Sequence, residues 1–313
     1  MRRHALAVLL AFWLFGCGSP APSGVPTQTA PPIATAVPSV TPVPTAQVQP
    51  APTGVPTRTP EPTPTPAAAP TRTPTPSPAA PWYPPIGATW QWQLSGTIDL
   101  SVKAAVFDLD VDDTSAAIVV ALHAAGRHVI CYVDVGTWES YRSDAAAFPA
   151  RLLGKGVDGW PDERWLDIRS LSVLLPIMER RLDTCAAKGF DAVEPDWLDA
   201  YDQATGFPIT RAQSIAYDRA IAAAAHARGL GIAQKNAPGL VSVLHSTFDF
   251  AVVEQCFQYD ECAEFQPYLD DGRAVADAEY ELPTSAFCAK AAAMRVSAIR
   301  KRLALDAWRQ TCP

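Results

Sequence analysis

The sequence predicts an α/β fold, a TIM (β/α)8 barrel, for residues 86–313, preceded by a signal peptide and a disordered Pro/Thr-rich linker. Three observations predict the barrel. The segment has the length typical of one such domain. Short apolar runs alternate with helix-like segments along it, which indicates parallel strands joined by helices. Most of the apolar runs end in polar residues, as expected where the carboxyl ends of barrel strands build a site.

Residues 1–17 have the layout of a secretory signal. Arg2 and Arg3 precede an apolar run at residues 5–15, which is too short to span roughly 30 Å of hydrocarbon. The LFGC sequence at residues 14–17 resembles a bacterial lipobox, in which the cysteine, here Cys17, becomes lipid-modified and begins the mature chain. We expect an exported lipoprotein, anchored to the cell surface or outer membrane. Simple secretion is the alternative.

Residues 18–85 differ in composition from the rest of the chain. Of the 31 prolines, 22 lie before residue 86, and Thr-Pro pairs repeat throughout this segment. Such a sequence cannot bury enough apolar surface to offset its ordering entropy, so we expect a disordered, locally extended linker. At about 3.1 Å per residue its contour would approach roughly 200 Å. The linker is therefore expected to hold the barrel away from the membrane.

Residues 86–313 carry 21 basic and 31 acidic side chains, a formal net charge of −10. This charge should repel nucleic acid and anionic membrane surfaces and attract a cationic ligand. We therefore expect no nucleic-acid partner, membrane contact through the lipid anchor only, and a monomer. Acidity that serves solubility alone is the alternative.

Six cysteines lie in this domain, and an even number in an exported protein favours disulfides. Six cysteines allow 15 pairings. The short spacing of Cys256 and Cys262 makes that pair the safest prediction, and pairing Cys131 with Cys185 and Cys288 with Cys312 would complete the set. Zinc is not expected, because no CxxC pair and no ligand-spaced histidine cluster occurs in the sequence.

Eight strand candidates and two clear helices follow from the hydrophobic pattern. One helix is predicted at residues 115–125, ending at Gly126, and another at residues 211–228, beginning with a capping box of Thr210 and Gln213 and ending at Gly229. The strands are predicted at residues 90–94, 104–109, 128–135, 190–193, 231–235, 250–254, 273–280 and 295–300.

Glu194 and Asp196 follow the strand predicted at residues 190–193. Side chains two residues apart on a strand share a face, so both carboxylates should project from the same end. We expect the polar residues that end the other strands to share one mouth with this pair. They are Gln93, Asp108, Asp110, Asp134, Lys235, Asn236, Glu254, Glu279 and Arg300. The tryptophan-rich connection at residues 136–188, which includes Trp138, is a candidate substrate-binding rim.

Several candidates have a structural alternative. The aspartates at positions 108, 110, 112 and 113 have the composition of a calcium loop, but its sixth position is Asp113 instead of Gly and its twelfth is Val119 instead of Glu. We therefore favour capping and mouth lining there over a metal. Trp90 and Trp92 could pack the barrel bottom or stack on sugar rings. Lys235 could be a solvated strand end or could tune a neighbouring carboxylate.

The chain resembles glycoside hydrolase family 114 along essentially all of residues 86–313. The resemblance is carried by long motifs in the family's order: WQWQLSG (90–96), HVICYVDVGTWE (128–139), WLDIR (165–169), KGFDAVEPD (188–196), EQCFQYDEC (254–262) and LALDAWRQ (303–310). It implies a TIM-barrel endo-α-1,4-galactosaminidase that acts, without a cofactor, on cationic galactosamine-rich polysaccharide such as a biofilm polymer.

The family's two catalytic carboxylates correspond to Asp196 and Glu254. We expect Asp196 to be the nucleophile of a retaining reaction, Glu254 the acid/base, and Glu194 a support that binds sugar hydroxyls or the amine. The expected substrate-binding residues also include Trp90, Trp92, Asp108, Asp110, Asp134, Trp138, Trp197, Lys235, Asn236, Tyr259 and Glu279. Family members often have Asn where this chain has Trp197, so a different substrate preference is expected there.

Two functions from other classes remain open. A non-catalytic barrel that binds polysaccharide at the cell surface would release no reducing ends. A metal-dependent deacetylase that uses the aspartates between positions 108 and 113 would lose activity with a chelator.

Overall fold

The computed structural model describes residues 80–313, so the predicted signal peptide, Cys17 and most of the linker lie outside the described residues. In chain order the elements are β1 (Trp90–Gln93), β2 (Val106–Asp110), α1 (Ala116–Ala124), β3 (His128–Asp134), β4 (Thr137–Glu139), β5 (Leu153–Val157), β6 (Trp160–Leu166), α2 (Leu171–Lys188), β7 (Ala192–Asp196), α3 (Arg211–His226), β8 (Gly231–Lys235), α4 (Val241–Leu244), β9 (Phe250–Glu254), α5 (Gln266–Asp270), β10 (Val275–Glu279), α6 (Thr284–Met294), β11 (Ser297–Arg300) and β12 (Gln310–Thr311).

Eight parallel strands form one curled sheet in the order β1-β2-β3-β7-β8-β9-β10-β11, and β12 adds an antiparallel edge to β11. The eight strand predictions are confirmed with small shifts at their ends. Both predicted helices are present as α1 and α3. Helix α1 is capped by Ser115, and α3 begins with the predicted capping box of Thr210 and Gln213.

Alternate residues on these strands face two different cores. The larger core lies between the outer face of the sheet and the helices. A smaller one fills the interior, where Trp90 and Trp92 pack in one cluster with small side chains such as Ala192, Ala233 and Ala278. Large and small side chains on facing strands fill a narrow interior without voids. Trp90 and Trp92 are 3% and 1% exposed, which supports the packing alternative for both.

The prediction of a closed (β/α)8 barrel is corrected at one seam. Within the described residues no ladder joins β11 to β1, although Trp90 Nε1 donates to Ser297 O at 2.8 Å. The chain after β11 runs back along β1 instead: Leu305 O accepts from Leu94 N at 3.0 Å, and Arg309 donates to Trp90 O. This segment therefore lies along β1 where a closing strand ladder would be expected. No helix lies between β1 and β2 or after β11.

The connection expected as a substrate-binding rim contains regular structure. Strands β4, β6 and β5 form a small antiparallel sheet, and α2 follows it. Gly136, just before β4, lies so close to the backbone of Trp197 that a Cβ there would overlap Trp197 O. The Trp197 ring meets Trp165 of β6 edge to face, with ring centroids 4.8 Å apart. The small sheet therefore packs directly on the residue after Asp196.

All three predicted disulfides are confirmed. Cys131–Cys185 ties β3 to α2, Cys256–Cys262 closes the loop after β9, and Cys288–Cys312 fixes the C-terminal segment to α6. Three disulfides fit an exported protein, since cytosolic thiols are kept reduced. Among residues 80–313, no helix has both the length and the hydropathy needed to cross a bilayer.

Candidate active site

Three carboxylates converge on the side chain of Lys235 at the carboxyl ends of β7, β8 and β9. Its Nζ lies 3.0 Å from Asp196 Oδ1, 3.3 Å from Glu254 Oε2 and 3.3 Å from Glu194 Oε1. The ammonium also lies over the Trp92 ring, 4.8 Å from its centroid. Burial alone would lower the pKa of Lys235, but the surrounding carboxylates raise it well above its usual value. Lys235 is therefore a permanent cation enclosed by carboxylates. This arrangement excludes the alternative that Lys235 is a solvated lysine at a strand end.

Asp196 ends β7 and is held by three donors. Tyr132 OH donates to Oδ2 at 2.9 Å, while Lys235 Nζ and the backbone N of Trp197 donate to Oδ1 at 3.0 and 2.9 Å. Trp197 has a φ of 64°, a left-handed conformation that is uncommon for a tryptophan. This sharp turn at the strand end directs the Trp197 amide back towards the Asp196 carboxylate.

Glu254 ends β9 and also has three donors. Asn236 Nδ2 donates to Oε2 at 2.9 Å, Lys235 lies beside the same oxygen, and Tyr280 OH donates to Oε1. Asn236 Oδ1 in turn accepts from the Glu254 backbone N at 2.8 Å. Burial alone would raise the pKa of Glu254, but Lys235, Tyr280 and Asn236 hold it below its usual value.

Glu194 and Asp108 lie deeper and are both fully buried. Burial and the neighbouring Glu194 raise the pKa of Asp108 well above its usual value. Burial also raises the pKa of Glu194, to about 7, although Lys235 opposes the shift. Of the two, Asp108 is the one that keeps its proton at neutral pH, and as an acid it can donate to Glu194. Apart from Lys235, 3.3 Å from Glu194 Oε1, the two carboxyl groups have only each other as partners among the described residues.

Two carboxylates of the cluster are more exposed to solvent than the others. The side chains of Asp196 and Glu254 are 17% and 26% exposed, whereas Glu194 is 0% exposed. Because Asp196 Oδ1 and Glu254 Oε2 contact the same Nζ at 3.0 and 3.3 Å, these two oxygens are at most about 6.3 Å apart. Asp196 and Glu254 are thus an accessible, closely spaced pair.

A second group of buried charges joins β2 to the small sheet. Arg142 contacts Asp110 at 2.7 Å and Glu139 at 2.5 Å, and all three side chains are buried. Asp110 Oδ1 also accepts from the Asp112 backbone N at 2.8 Å. Asp110 therefore caps a turn and binds an arginine, which leaves it poorly placed for the calcium loop or the deacetylase metal considered above.

Asp134 adjoins Asp196 across the β3–β7 pair but supports a turn. Its Oδ1 accepts from the backbone N of Gly136 and Thr137 at 3.0 and 2.7 Å, and Thr137 Oγ1 donates to Oδ2. The same hydroxyl lies 3.1 Å from Glu163 on β6. Burial raises the pKa of Asp134 well above its usual value, and Glu139 and Asp196 add to the shift.

Three further residues predicted to bind substrate are Glu279, Trp138 and Tyr259. Glu279 is buried and accepts from the backbone N of Phe257 and Gln258, so it holds the loop after β9. Trp138 donates through Nε1 to Ala145 O at 3.0 Å. Tyr259 is 39% exposed on that loop.

Sequence reasoning missed Tyr132 and Tyr280, the hydroxyl donors to Asp196 and Glu254. Both pKa values are raised well above the usual tyrosine value by burial and by those carboxylates, so both remain donors. Strand alternation could have revealed them. Tyr132 lies two residues before Asp134 on β3, and Tyr280 continues the inward face of Ala276 and Ala278 on β10.

One trio within residues 80–313 brings three potential metal-ligand atoms together: Cys256, Cys262 and Asp277. The two cysteines form a disulfide and offer no thiolate. Asp277 Oδ1 accepts from the Cys256 backbone N at 3.1 Å, so this carboxylate has a role in holding the disulfide loop.

A curled parallel sheet with paired carboxylates at its carboxyl edge is the arrangement of a TIM-like glycoside hydrolase. The family model of glycoside-hydrolase family GH114 matches residues 71–313. The chain belongs to this family and is a glycoside hydrolase of the endo-polygalactosaminidase type.

The chain is similar to solved structures and to one protein sequence from other organisms. It is similar to the crystal structure of Aspergillus fumigatus Ega3 in complex with galactosamine, with a TM-score of 0.71 and 35% identity, over 75% of this chain and 98% of that one. The glycoside hydrolase domain of PelA from Pseudomonas aeruginosa matches with a TM-score of 0.58 and 14% identity, over 71% of this chain and 98% of that one. At this identity the likeness shows the fold alone. An uncharacterized protein of Deinococcus radiodurans is 36% identical over 113 residues, which span 34% of this chain and only 35% of that protein.

Proposed function

We propose that the protein is an endo-acting hydrolase of α-1,4-linked galactosamine-containing polysaccharide, such as galactosaminogalactan or a related biofilm polymer. Membership of GH114 and 35% identity to a protein that was crystallised with galactosamine support this substrate class. The observation that carries the proposal is the pairing of Asp196 and Glu254, the two accessible carboxylates of the cluster, across Lys235.

In the proposed mechanism Asp196 attacks the anomeric carbon. Glu254 donates its proton to the glycosidic oxygen, so the sugar–oxygen bond breaks as the bond to Asp196 forms. A water then hydrolyses this glycosyl-enzyme ester while Glu254 takes a proton from the water, which regenerates both groups. Buried Glu194 supports the pair from below through their shared neighbour Lys235.

The spacing of the carboxylates supports retention of configuration. Retaining glycosidases place their two carboxyl groups roughly 5–5.5 Å apart, and inverting enzymes roughly 6.5–9.5 Å apart to admit a water. Asp196 Oδ1 and Glu254 Oε2 are at most about 6.3 Å apart, which is compatible with the retaining spacing.

Charge supports a cationic substrate. The barrel segment carries a formal net charge of −10, which attracts a polymer of ammonium sugars over distances set by ionic strength. Four acidic residues expected to bind the substrate are all buried: Asp108, Asp110, Asp134 and Glu279. The proposed attraction therefore depends on the field of the whole domain, and it should weaken with salt and with N-acetylation of the polymer.

The proposed location is the outer surface of a bacterial cell. Lipid modification of Cys17 would anchor the chain there, and the Pro/Thr-rich segment would let the barrel reach polymer at a distance. The three disulfides are compatible with such an environment.

The test is reducing-end release from deacetylated galactosaminogalactan by the wild type, Asp196→Asn and Glu254→Gln. Both variants should lose at least about a hundredfold in rate, the low end of general acid–base catalysis. Asp202→Asn neutralises an exposed carboxylate in the segment that follows Asp196 at the end of β7. It is the matched control and should keep full activity. Full activity of either site variant would remove that residue from the mechanism. Binding without reducing ends in the wild type would favour a lectin.

A further inference from the structure

Three carboxylates enclose the ammonium of Lys235 at ion-pair distance. A lysine side chain has three N–H donors, and three carboxylate oxygens surround Nζ at 3.0 to 3.3 Å. Trp92 covers another side, and the Lys235 side chain is only 2% exposed. A sugar could bind this ammonium only by displacing one of the carboxylates. A direct substrate-binding role, expected from the sequence, is therefore disfavoured.

We propose that Lys235, seated on Trp92, is a positioning residue that holds Asp196 and Glu254 at the short separation seen in the structure. The proposal deepens the proposed function, because it takes the catalytic roles of Asp196 and Glu254 from it.

The spacing follows from the balance of charge around one cation. Glu194, Asp196 and Glu254 would repel one another if Nζ were absent, and both accessible side chains could rotate away from the cluster. Lys235 is fixed at the end of β8, between the strands that carry the two catalytic candidates. One buried group thus controls the separation of a pair that arises from different strands.

The ionisation of Glu254 depends on every element packed around it. Lys235 and Asn236 of β8 and Tyr280 after β10 favour its charged form, while Glu194 and Asp196 of β7 and burial oppose that form. Lys235 is the only cation among these groups. Its removal should let the opposing effects dominate and raise the pKa of Glu254.

Removing Lys235 should change the pH dependence of kcat/KM. A general acid works only while it is protonated, so kcat/KM falls as pH rises through the pKa of Glu254 in the free enzyme. A nearby opposite charge typically shifts a carboxyl pKa by about 1–3 units. In Lys235→Met the alkaline limb of kcat/KM should therefore move up by at least about one pH unit, and kcat should fall more than tenfold while KM changes little.

The test compares pH profiles of reducing-end release for the wild type, Lys235→Met, Lys235→Gln and Lys235→Arg. The alkaline limb of kcat/KM should move up in both neutral variants. If Lys235→Met does not fold, Lys235→Gln still allows this shift to be measured. Lys235→Arg keeps the cation, so its alkaline limb should stay near the wild-type position even if kcat drops. Lys290→Met, at an exposed lysine on α6, is the control for loss of one positive charge.

Unshifted limbs in both neutral variants, or a raised KM with unchanged kcat, would overturn the positioning role. These failures differ from failure of the proposed function, which would appear as activity retained by Glu254→Gln.

Discussion

Replacing Glu163 with Gln should stabilise the folded protein above pH 7 and change little at pH 4. Glu163 is 9% exposed on β6 and pairs with Glu139 across the β4–β6 ladder. Burial raises its pKa to about 7 from an ordinary 4.5, and Glu139 and Asp196 add to the shift against a hydrogen bond from Thr137. The folded protein therefore holds a proton that the unfolded chain releases between these pH values.

The size of the effect follows from this shift. Stability of the wild type should fall as pH rises from 4.5 to 7, because over that range the unfolded state binds fewer protons at this site. A shift of roughly 2.5 units, at 1.36 kcal/mol each, sets a ceiling of about 3 kcal/mol. We expect about 1–3 kcal/mol, since Glu163 keeps some contact with solvent. Gln has a similar shape and carries no charge to desolvate.

Urea unfolding at pH 4, 6 and 8 measures this difference. Other buried carboxyl groups contribute to the pH dependence of every variant, so the quantity to compare is variant minus wild type. Asp162→Asn removes the same charge from an exposed neighbour on β6 and should run parallel to the wild type. A Glu163→Gln curve that is also parallel to the wild type would refute the account of Glu163.

Three further predictions concern other parts of the chain. Arg142→Met leaves Glu139 buried without its cation and should lower the free energy of unfolding, measured in urea, by about 3–5 kcal/mol. The control Arg302→Met, in an exposed ion pair, should lower it by about 0–1 kcal/mol. Equal losses would contradict the importance of burial. Gly136→Ala should destabilise by at least about 1–3 kcal/mol, because the new Cβ overlaps Trp197 O, and an unchanged melting temperature would count against that close approach. Cys17→Ser should abolish metabolic fatty-acid labelling; labelling that persists would exclude the proposed anchor.

Much of the fold could be predicted because local signals agree with tertiary structure. The apolar runs are short and bounded by polar residues, so the eight parallel strands were found with small errors at their ends. The capping box at Thr210 and the pairing of six cysteines were also predicted. The general rule that strand ends converge placed Asp196, Lys235 and Glu254 in one site, although they lie far apart in sequence.

The open seam could not be predicted from strand patterns. It depends on contacts between β1 and segments more than 200 residues away. Examples are the side-chain hydrogen bonds from Trp90 Nε1 to Ser297 O on β11 and from Gln91 Nε2 to Ala307 O in the tail. Nothing in the local sequence of these segments shows that they meet. The small sheet of β4, β5 and β6 was missed because its strands are rich in charged and glycine residues and were interpreted as a rim.

Sequence also could not tell which strand-end residues are free for substrate. In the sequence pattern Asp110 and Glu279 are polar strand ends like Asp196. In the structure, however, Arg142 binds the Asp110 carboxylate and the Phe257 amide donates to Glu279. These partners come from loops, whose positions no periodicity encodes. For Lys235 the sequence left two interpretations equally open, a solvated strand end or a group that tunes a neighbouring carboxylate. The structure leaves only the second, because three carboxylates surround its ammonium.

The anomeric configuration of the first product tests the central claim most directly. The proposed double displacement by Asp196 and Glu254 retains the configuration. Hydrolysis of an α-1,4-linked galactosamine oligosaccharide, followed by proton NMR in the first minutes, should therefore show the new reducing end as the α-anomer before it mutarotates. A β-anomer formed first would mean a single displacement by water, and would contradict Asp196 as the nucleophile.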